Sequence, residues 1–186
     1  MAVAQQRMTL EEFLKLPEQE PALEFADGEV SQKVSPKLHH SALQLGFGKR
    51  IDAFGIPRKL ARAFTELRTT FAGKSYVPDV AVYRWERIPR TPGGDLAQEA
   101  LEPPDVAVEI VSPDQSVTAL VRKCLWYVEH GVPIALLVDG QDRSVLAFRP
   151  GASPRVLRDA DPIDLSEALP GFQLSVQEQF AALKAE

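Results

Sequence analysis

The spacing of apolar and polar positions changes period several times along this chain, and each change marks an element. Thr9 followed by Glu12 is a capping-box pair, which predicts a short helix from Leu10 to Leu16 that stops before Pro17. The stretch LEFADGEVSQKVS reads as two strands joined by Asp27-Gly28, a two-residue hairpin turn. From Lys37 to Phe54 the residues Leu43, Phe47, Ile51 and Phe54 recur at three- and four-residue steps, the period of an amphipathic helix. ARAFTELRTTF (61–71) alternates as a half-buried strand does, and YVPDVAVY (76–83) reads as a buried strand. Between Glu86 and Pro104 the prolines, the Gly93-Gly94 pair and the lack of any period predict a long surface loop.

The second half is more regular. A strand over 105–111 is followed by Ser112-Pro113-Asp114, a helix-start signal, and by a helix from Gln115 to His130 that Gly131 ends. PIALLVDG (133–140) is an apolar strand, and Gln141-Asp142 turns it into a hairpin partner, RSVLAFRP. Strand, helix and strand in succession imply a right-handed crossover and a parallel pair, flanked here by antiparallel strands. Pro170-Gly171 makes a late turn, and Ser175 with Glu178 caps a last short helix. The expectation is an α/β protein with a mixed sheet flanked by helices. One domain would span 1–186, with an N-terminal helix and hairpin over 9–35, a core over 37–150 and a C-terminal tail over 151–186.

Two of these apolar runs each enclose an acid, Asp79 in YVPDVAVY and Glu109 in PPDVAVEIVSP. Burying a carboxylate is costly unless something compensates its charge, and a divalent cation is one compensator. Alternation puts Asp105, Ala107, Glu109 and Val111 on one face of their strand, and Val106, Val108 and Ile110 on the other. Glu109 then lies near the strand's C-terminal end, where α/β sites tend to form. With Lys123 on the following helix, the two acids make a constellation suited to Mg²⁺-assisted phosphodiester hydrolysis. The competing readings are a turn or cap acid for Asp79 and an arginine-paired acid for Glu109.

Composition narrows the class. Of the 186 residues 45% are hydrophobic and 25% charged, as in ordinary globular proteins. No apolar run is long enough to cross a bilayer and the N-terminus lacks the features of a signal peptide, so a cytoplasmic protein without a membrane partner is expected. The lone Cys124 agrees with a reducing compartment. A net charge of −5 argues at first against a nucleic-acid partner, yet residues 33–90 hold twelve basic and four acidic side chains. Arg58, Lys59, Arg62, Arg68, Lys74, Arg84, Arg87 and Arg90 would supply a phosphate-facing surface, the alternative being a solvated face.

DGE (27–29), SP (35–36) with His39 and His40 beyond it, VPDVAVY (77–83), PPDVAVEIVSP (103–113), the helix from Lys123 to Tyr127, GVP (131–133), LLVD (136–139) and LPGF (169–172) together resemble the Uma2 family. That family is assigned to the PD-(D/E)xK, restriction-endonuclease-like superfamily, and the resemblance covers nearly the whole chain. It implies that Asp79 and Glu109 ligate Mg²⁺ or Mn²⁺ and that Ile110 lends its backbone carbonyl. The superfamily's lysine position is filled by Val111, and Lys123 occupies the place to which the family's lysine looks displaced. Glu24 matches the acid that superfamily members bring from their N-terminal region, and a family histidine matches His39 or His40.

The sequence therefore points to a metal-dependent endonuclease acting on nucleic acid, DNA ahead of RNA. Glu24, Asp79, Glu109 and Lys123 would be catalytic, and His39, Arg58, Lys59, Arg62, Arg68 and Lys74 would meet the nucleic acid. The superfamily also implies a homodimer. Two alternatives stand beside this: a nuclease-fold module that binds nucleic acid without cutting it, favoured by Val111, and a structural or interaction protein whose two strand acids are satisfied by arginines in the core.

Overall fold

The computed structural model describes residues 8–184. Thr9 caps α1 (Leu10–Phe13), its side chain accepting the Glu12 N–H while the Glu12 carboxylate accepts the Thr9 N–H at 2.8 Å. β1 (Leu23–Ala26) and β2 (Glu29–Gln32) form the expected hairpin. Asp27 and Gly28 take φ values of 55° and 85°, the doubly left-handed turn that suits a right-twisted hairpin.

The long helix α2 (Leu38–Gly55) lies within one residue of its predicted span at each end. After it come β3 (Ala61–Thr65), β4 (Thr69–Phe71), β5 (Lys74–Tyr76) and β6 (Val80–Arg84). The second half supplies β7 (Val106–Ile110), α3 (Val117–Glu129), β8 (Ile134–Asp139), β9 (Ser144–Phe148), β10 (Arg155–Arg158) and α4 (Val176–Phe180). A four-stranded sheet runs in the order β2-β1-β5-β4 and a six-stranded sheet in the order β10-β9-β8-β7-β6-β3. The β7–β8 pair is parallel and the other pairs are antiparallel, giving the mixed α/β architecture that the strand, helix and strand succession required.

Alternation along β7 sorts the core. Val106, Val108 and Ile110 face α2, where Leu43, Phe47 and Ile51 meet them with Leu165, Leu169 and Phe180 from the C-terminal part. Ala107 faces α3, against Leu120, Cys124 and Tyr127. Full burial of each large apolar side chain is worth about 1.5–3 kcal/mol, which is ample to hold α2 and α3 on opposite faces of the larger sheet.

Several boundaries differ from the sequence reading, each for a local reason. ARAFTELRTTF is two strands in different sheets, because the chain breaks at Glu66, whose φ is 50°. YVPDVAVY is likewise divided: β5 ends at Tyr76 in the smaller sheet, β6 starts at Val80 in the larger, and Pro78, lacking an N–H, sits in the break. α1 has one turn of helix proper before a looser turn. α3 starts after Ser116, whose side chain accepts the Ala119 N–H, leaving Ser112-Pro113-Asp114 outside it. The 86–104 segment is pinned down: Ile88 and Ala100 are buried and the Ala100 carbonyl accepts the Thr70 N–H at 2.9 Å. Among the described residues no helix is long and apolar enough to cross a membrane.

Two glycines of α2 give opposite predictions. A Cβ at Gly55 would lie 2.5 Å from the Ala61 carbonyl oxygen, whereas at Gly48 the nearest atom would be Thr65 Cγ2 at 3.9 Å. Gly55→Ala is expected to lose about 1–3 kcal/mol through overpacking against backbone. Gly48→Ala is expected to gain about 0.4–1 kcal/mol by restricting the unfolded chain. Urea denaturation of the two variants checks both signs.

Candidate active site

The breaks at Glu66 and at 77–79 direct side chains to one place. β6 and β7 pair with Val80 opposite Val108, and continuing that register sets Asp79 opposite Glu109 and Pro78 opposite Ile110. The Ile110 N–H donates to Asp79 Oδ2 at 2.6 Å. In an antiparallel ladder the N–H and C=O of one residue point to the same edge, so the Ile110 carbonyl also faces the β6 edge. Pro78 stands where the donor to that carbonyl would be and has no N–H to give.

Glu109 lies on the α3 face. Lys123 and Tyr127, four residues apart and so on one side of the helix, both reach it: Tyr127 Oη donates to Glu109 Oε1 at 2.9 Å and Lys123 Nζ lies 2.8 Å from the same oxygen. Lys123 also donates to Glu24 Oε1 at 2.7 Å, and that oxygen accepts the Val77 N–H at 2.7 Å. Lys123, on α3, and Glu109 and Glu24 are therefore brought together, with Asp79 beside them at the Ile110 N–H.

A second group surrounds Asp79 from the hairpin and α2. Lys33 donates to Asp79 Oδ1 at 2.6 Å, Glu66 Oε2 at 2.8 Å and the Val77 carbonyl at 2.9 Å. His40 Nε2 is 3.3 Å from Asp79 Oδ1, and its Nδ1 is 3.0 Å from Ser112 Oγ. Gln44, one turn after His40, donates to Glu66 Oε1 at 2.7 Å and to the Asp79 carbonyl at 2.8 Å. Sequence reasoning missed Lys33, Gln44 and Glu66. His40 and Gln44 were detectable as a polar pair one turn apart beside the apolar stripe of α2. Lys33 and Glu66 were not, since their approach depends on how the two sheets meet.

Charge is unevenly compensated. Burial opposes ionisation of Asp79, but the His40 hydrogen bond and Lys33 outweigh it and hold the carboxyl down at about 2. Burial pushes Glu109 up to about 7 despite Lys123, with Asp79 and Glu24 adding to the rise. Burial would lower Lys123, but Glu109 and Glu24 hold it well above its ordinary value. Three buried carboxyl groups (Glu24, Asp79 and Glu109) and the more exposed Glu66 thus meet two ammonium groups, and a divalent cation would offset the negative charge left over. Carboxylate oxygens and a carbonyl that lacks its ladder donor are the hard donors that Mg²⁺ and Mn²⁺ prefer. His40, Glu66 and Asp79 also present ligand atoms within 4.8 Å of one another.

The basic residues are more dispersed. Exposed Arg58 and Lys59 follow α2, with Arg58 stacked 4.2 Å over the Phe54 ring, and Arg62 lies on edge strand β3 over Phe64. Arg68 donates to Ser75 Oγ at 3.1 Å, and Lys74 pairs with Asp27 at 2.8 Å above Trp126. Arg84 and Arg87 clamp Asp105 at 2.9 and 2.7 Å. Of His39 and His40, His40 turns into the site and His39 is exposed.

Comparison with known proteins follows the same lines. A crystal structure described as "a putative nuclease belonging to DUF820", from Anabaena variabilis ATCC 29413, superposes with a TM-score of 0.92 at 38% identity, covering 95% of this chain and 99% of that one. The fold is therefore the restriction-endonuclease-like one. A DrdV–DNA complex reaches a TM-score of 0.32 at 11% identity over 61% of this chain and 12% of that one, too slight a likeness to argue from. No curated protein matches. The sequence also matches the family described as "Uma2: Putative restriction endonuclease" over residues 10–177, a span that holds every side chain of the site, and the chain belongs to that family.

Proposed function

We propose that this chain is a metal-dependent endonuclease that hydrolyses phosphodiester bonds in nucleic acid, DNA ahead of RNA, with Mg²⁺ or Mn²⁺ as cofactor. One observation carries the reading. Asp79 accepts the N–H of Ile110, the residue after Glu109, at 2.6 Å beside a carbonyl to which Pro78 cannot donate, and Lys123 reaches Glu109 at 2.8 Å from a helix. The nuclease description of the crystallised relative, at 38% identity, supports the same chemistry.

Asp79, Glu109 and the Ile110 carbonyl would hold the cation. When bound, it supplies Lewis acidity, acidifying water and offsetting negative charge on the phosphate. Lys123 sets a fixed positive charge where charge builds on the phosphoryl oxygens and orients the nucleophile. Glu24 keeps that ammonium in place and, through the Val77 N–H, ties it to the backbone that leads into Asp79. Tyr127 restrains the Glu109 carboxyl. His39, Arg58, Lys59, Arg62, Arg68 and Lys74 would grip phosphates without reading bases, so binding would weaken steeply with salt. A homodimer in the cytoplasm would cut both strands.

Nicking of supercoiled plasmid at low salt with Mg²⁺ or Mn²⁺ tests this. Asp79→Asn and Glu109→Gln are expected to fall to the level seen in EDTA, and Lys123→Ala to lose on the order of 10²–10³-fold. Folded protein that retains DNA but does not cut it would instead favour the non-catalytic binding module.

A second prediction concerns stability without metal. An acid with a raised folded-state value binds its proton more tightly when folded. The stability Glu109 contributes is therefore full below its ordinary 4.5 and is lost as pH rises through about 7. Asp79, lowered to about 2, acts in the opposite sense and only as pH falls below 3.8, outside this window. In EDTA the melting temperature is expected to fall between pH 5 and 8, Glu109→Gln to flatten that slope, and Mn²⁺ at pH 8 to raise the melting temperature. A slope that is flat or rising in the wild type contradicts an under-compensated Glu109.

A further inference from the structure

We infer that Lys33 is a built-in cation, its ammonium standing where a second divalent ion would sit in a two-metal phosphodiesterase, so that the site has room for one metal. The catalytic meaning of this rests on the nuclease reading; the charge substitution itself does not. His40, Glu66 and Asp79 converge with ligand atoms inside 4.8 Å of one another, the kind of donor set that gathers round a metal ion. Lys33 Nζ bonds to two of those three groups, Asp79 at 2.6 Å and Glu66 at 2.8 Å, and to the Val77 carbonyl at 2.9 Å. An ammonium has three donors, and here all three meet oxygens.

The rest of the neighbourhood supports a fixed charge. The Lys33 side chain is 8% exposed and Asp79 3%, so water does little to screen them. Lys33 N–H donates to the Ala22 carbonyl at 2.9 Å, which extends the β1–β2 ladder and anchors the backbone that delivers the ammonium. Gln44 holds the other oxygen of Glu66, which keeps that carboxylate turned toward Lys33. Lys123 is a separate ammonium, bound to Glu24 and Glu109. In two-metal sites two cations flank the displacement and stabilise both the attacking and the leaving oxygen. Here Lys33 would supply one of those charges from the protein itself.

The test is the Mn²⁺ stoichiometry at equilibrium, read by calorimetry and by the Mn²⁺ electron paramagnetic resonance signal, independently of cleavage. Lys33→Ala vacates the position and is expected to bind one more Mn²⁺ than the wild type. Lys33→Met removes the charge but fills the space and is expected to gain none. Adding Glu66→Gln to Lys33→Ala is expected to remove the extra ion. Equal stoichiometry in Lys33→Ala and the wild type would overturn the inference. So would two Mn²⁺ bound by the wild type, a result that holds even if Lys33→Ala fails to fold. A wild type that binds none beside a Lys33→Ala that binds one would sink the metal-nuclease reading and sustain the substitution.

Discussion

Carboxylates held out of water in the middle of a sheet are the constraint on which this structure turns. An ion in such a place costs several kcal/mol even after the surroundings relax, and the cost is met only by donors arranged around it. Asp105, just before β7, and Glu109 within it make the comparison, since alternation places them on the same face. Asp105 receives the Arg84 N–H at 2.8 Å and two guanidinium contacts at 2.9 and 2.7 Å. Its charge is answered completely, by a structural clamp at the N-terminal end of the strand. Glu109 has a tyrosine hydroxyl and one ammonium that it shares with Glu24, and its proton is correspondingly hard to remove. The arginine-paired acid that the sequence reading held open exists, but it is Asp105 and not Glu109.

Incomplete compensation needs a place where ladder donors run out, and the meeting of the two sheets provides it. Three chain segments cross there: β1 brings Glu24, the β3–β4 connection brings Glu66, and the β5–β6 connection brings Asp79. A continuous strand through 76–83 would have paired residue 78 with Ile110 and closed the ladder. Proline at 78 divides the strand between two sheets, withholds its N–H from the Ile110 carbonyl, and leaves the Ile110 N–H to the Asp79 carboxylate. The same residue thus makes the bend and opens the donor set.

What the sequence disclosed was what periodicity and turn chemistry encode. The α2 stripe, the Asp27-Gly28 hairpin, the β7–α3–β8 crossover and the two capping boxes are local patterns, and all are present. Asp79 and Glu109 stood out because an acid inside an apolar run is a local anomaly. Lys33 gave no such signal: it follows an exposed strand and is buried only because β5 and β6 leave in different sheets. Glu66 was hidden too, since nothing in its own segment marks the left-handed backbone it takes. The basic middle of the chain was legible as charge but not as surface, because Arg84, Arg87 and Lys74 are spent partly on Asp105 and Asp27.

Val111 and Lys123 approach the same face of the sheet from different elements. Val111 packs toward α3, so a lysine there would send its ammonium to the face on which Glu109 lies. Lys123 sends one to that face from the other direction, along a helix whose Ser116 cap and Tyr127–Glu109 hydrogen bond fix its rotation against the sheet. The position of the ammonium is set by the oxygens of Glu24 and Glu109, 2.7 and 2.8 Å away, and not by which backbone carries it. Residue 111, being apolar, adds to the core under the helix. Under the proposed function what the site would require is charge at a point, and a long side chain reaching back from a packed helix can place it there as a side chain on the strand could.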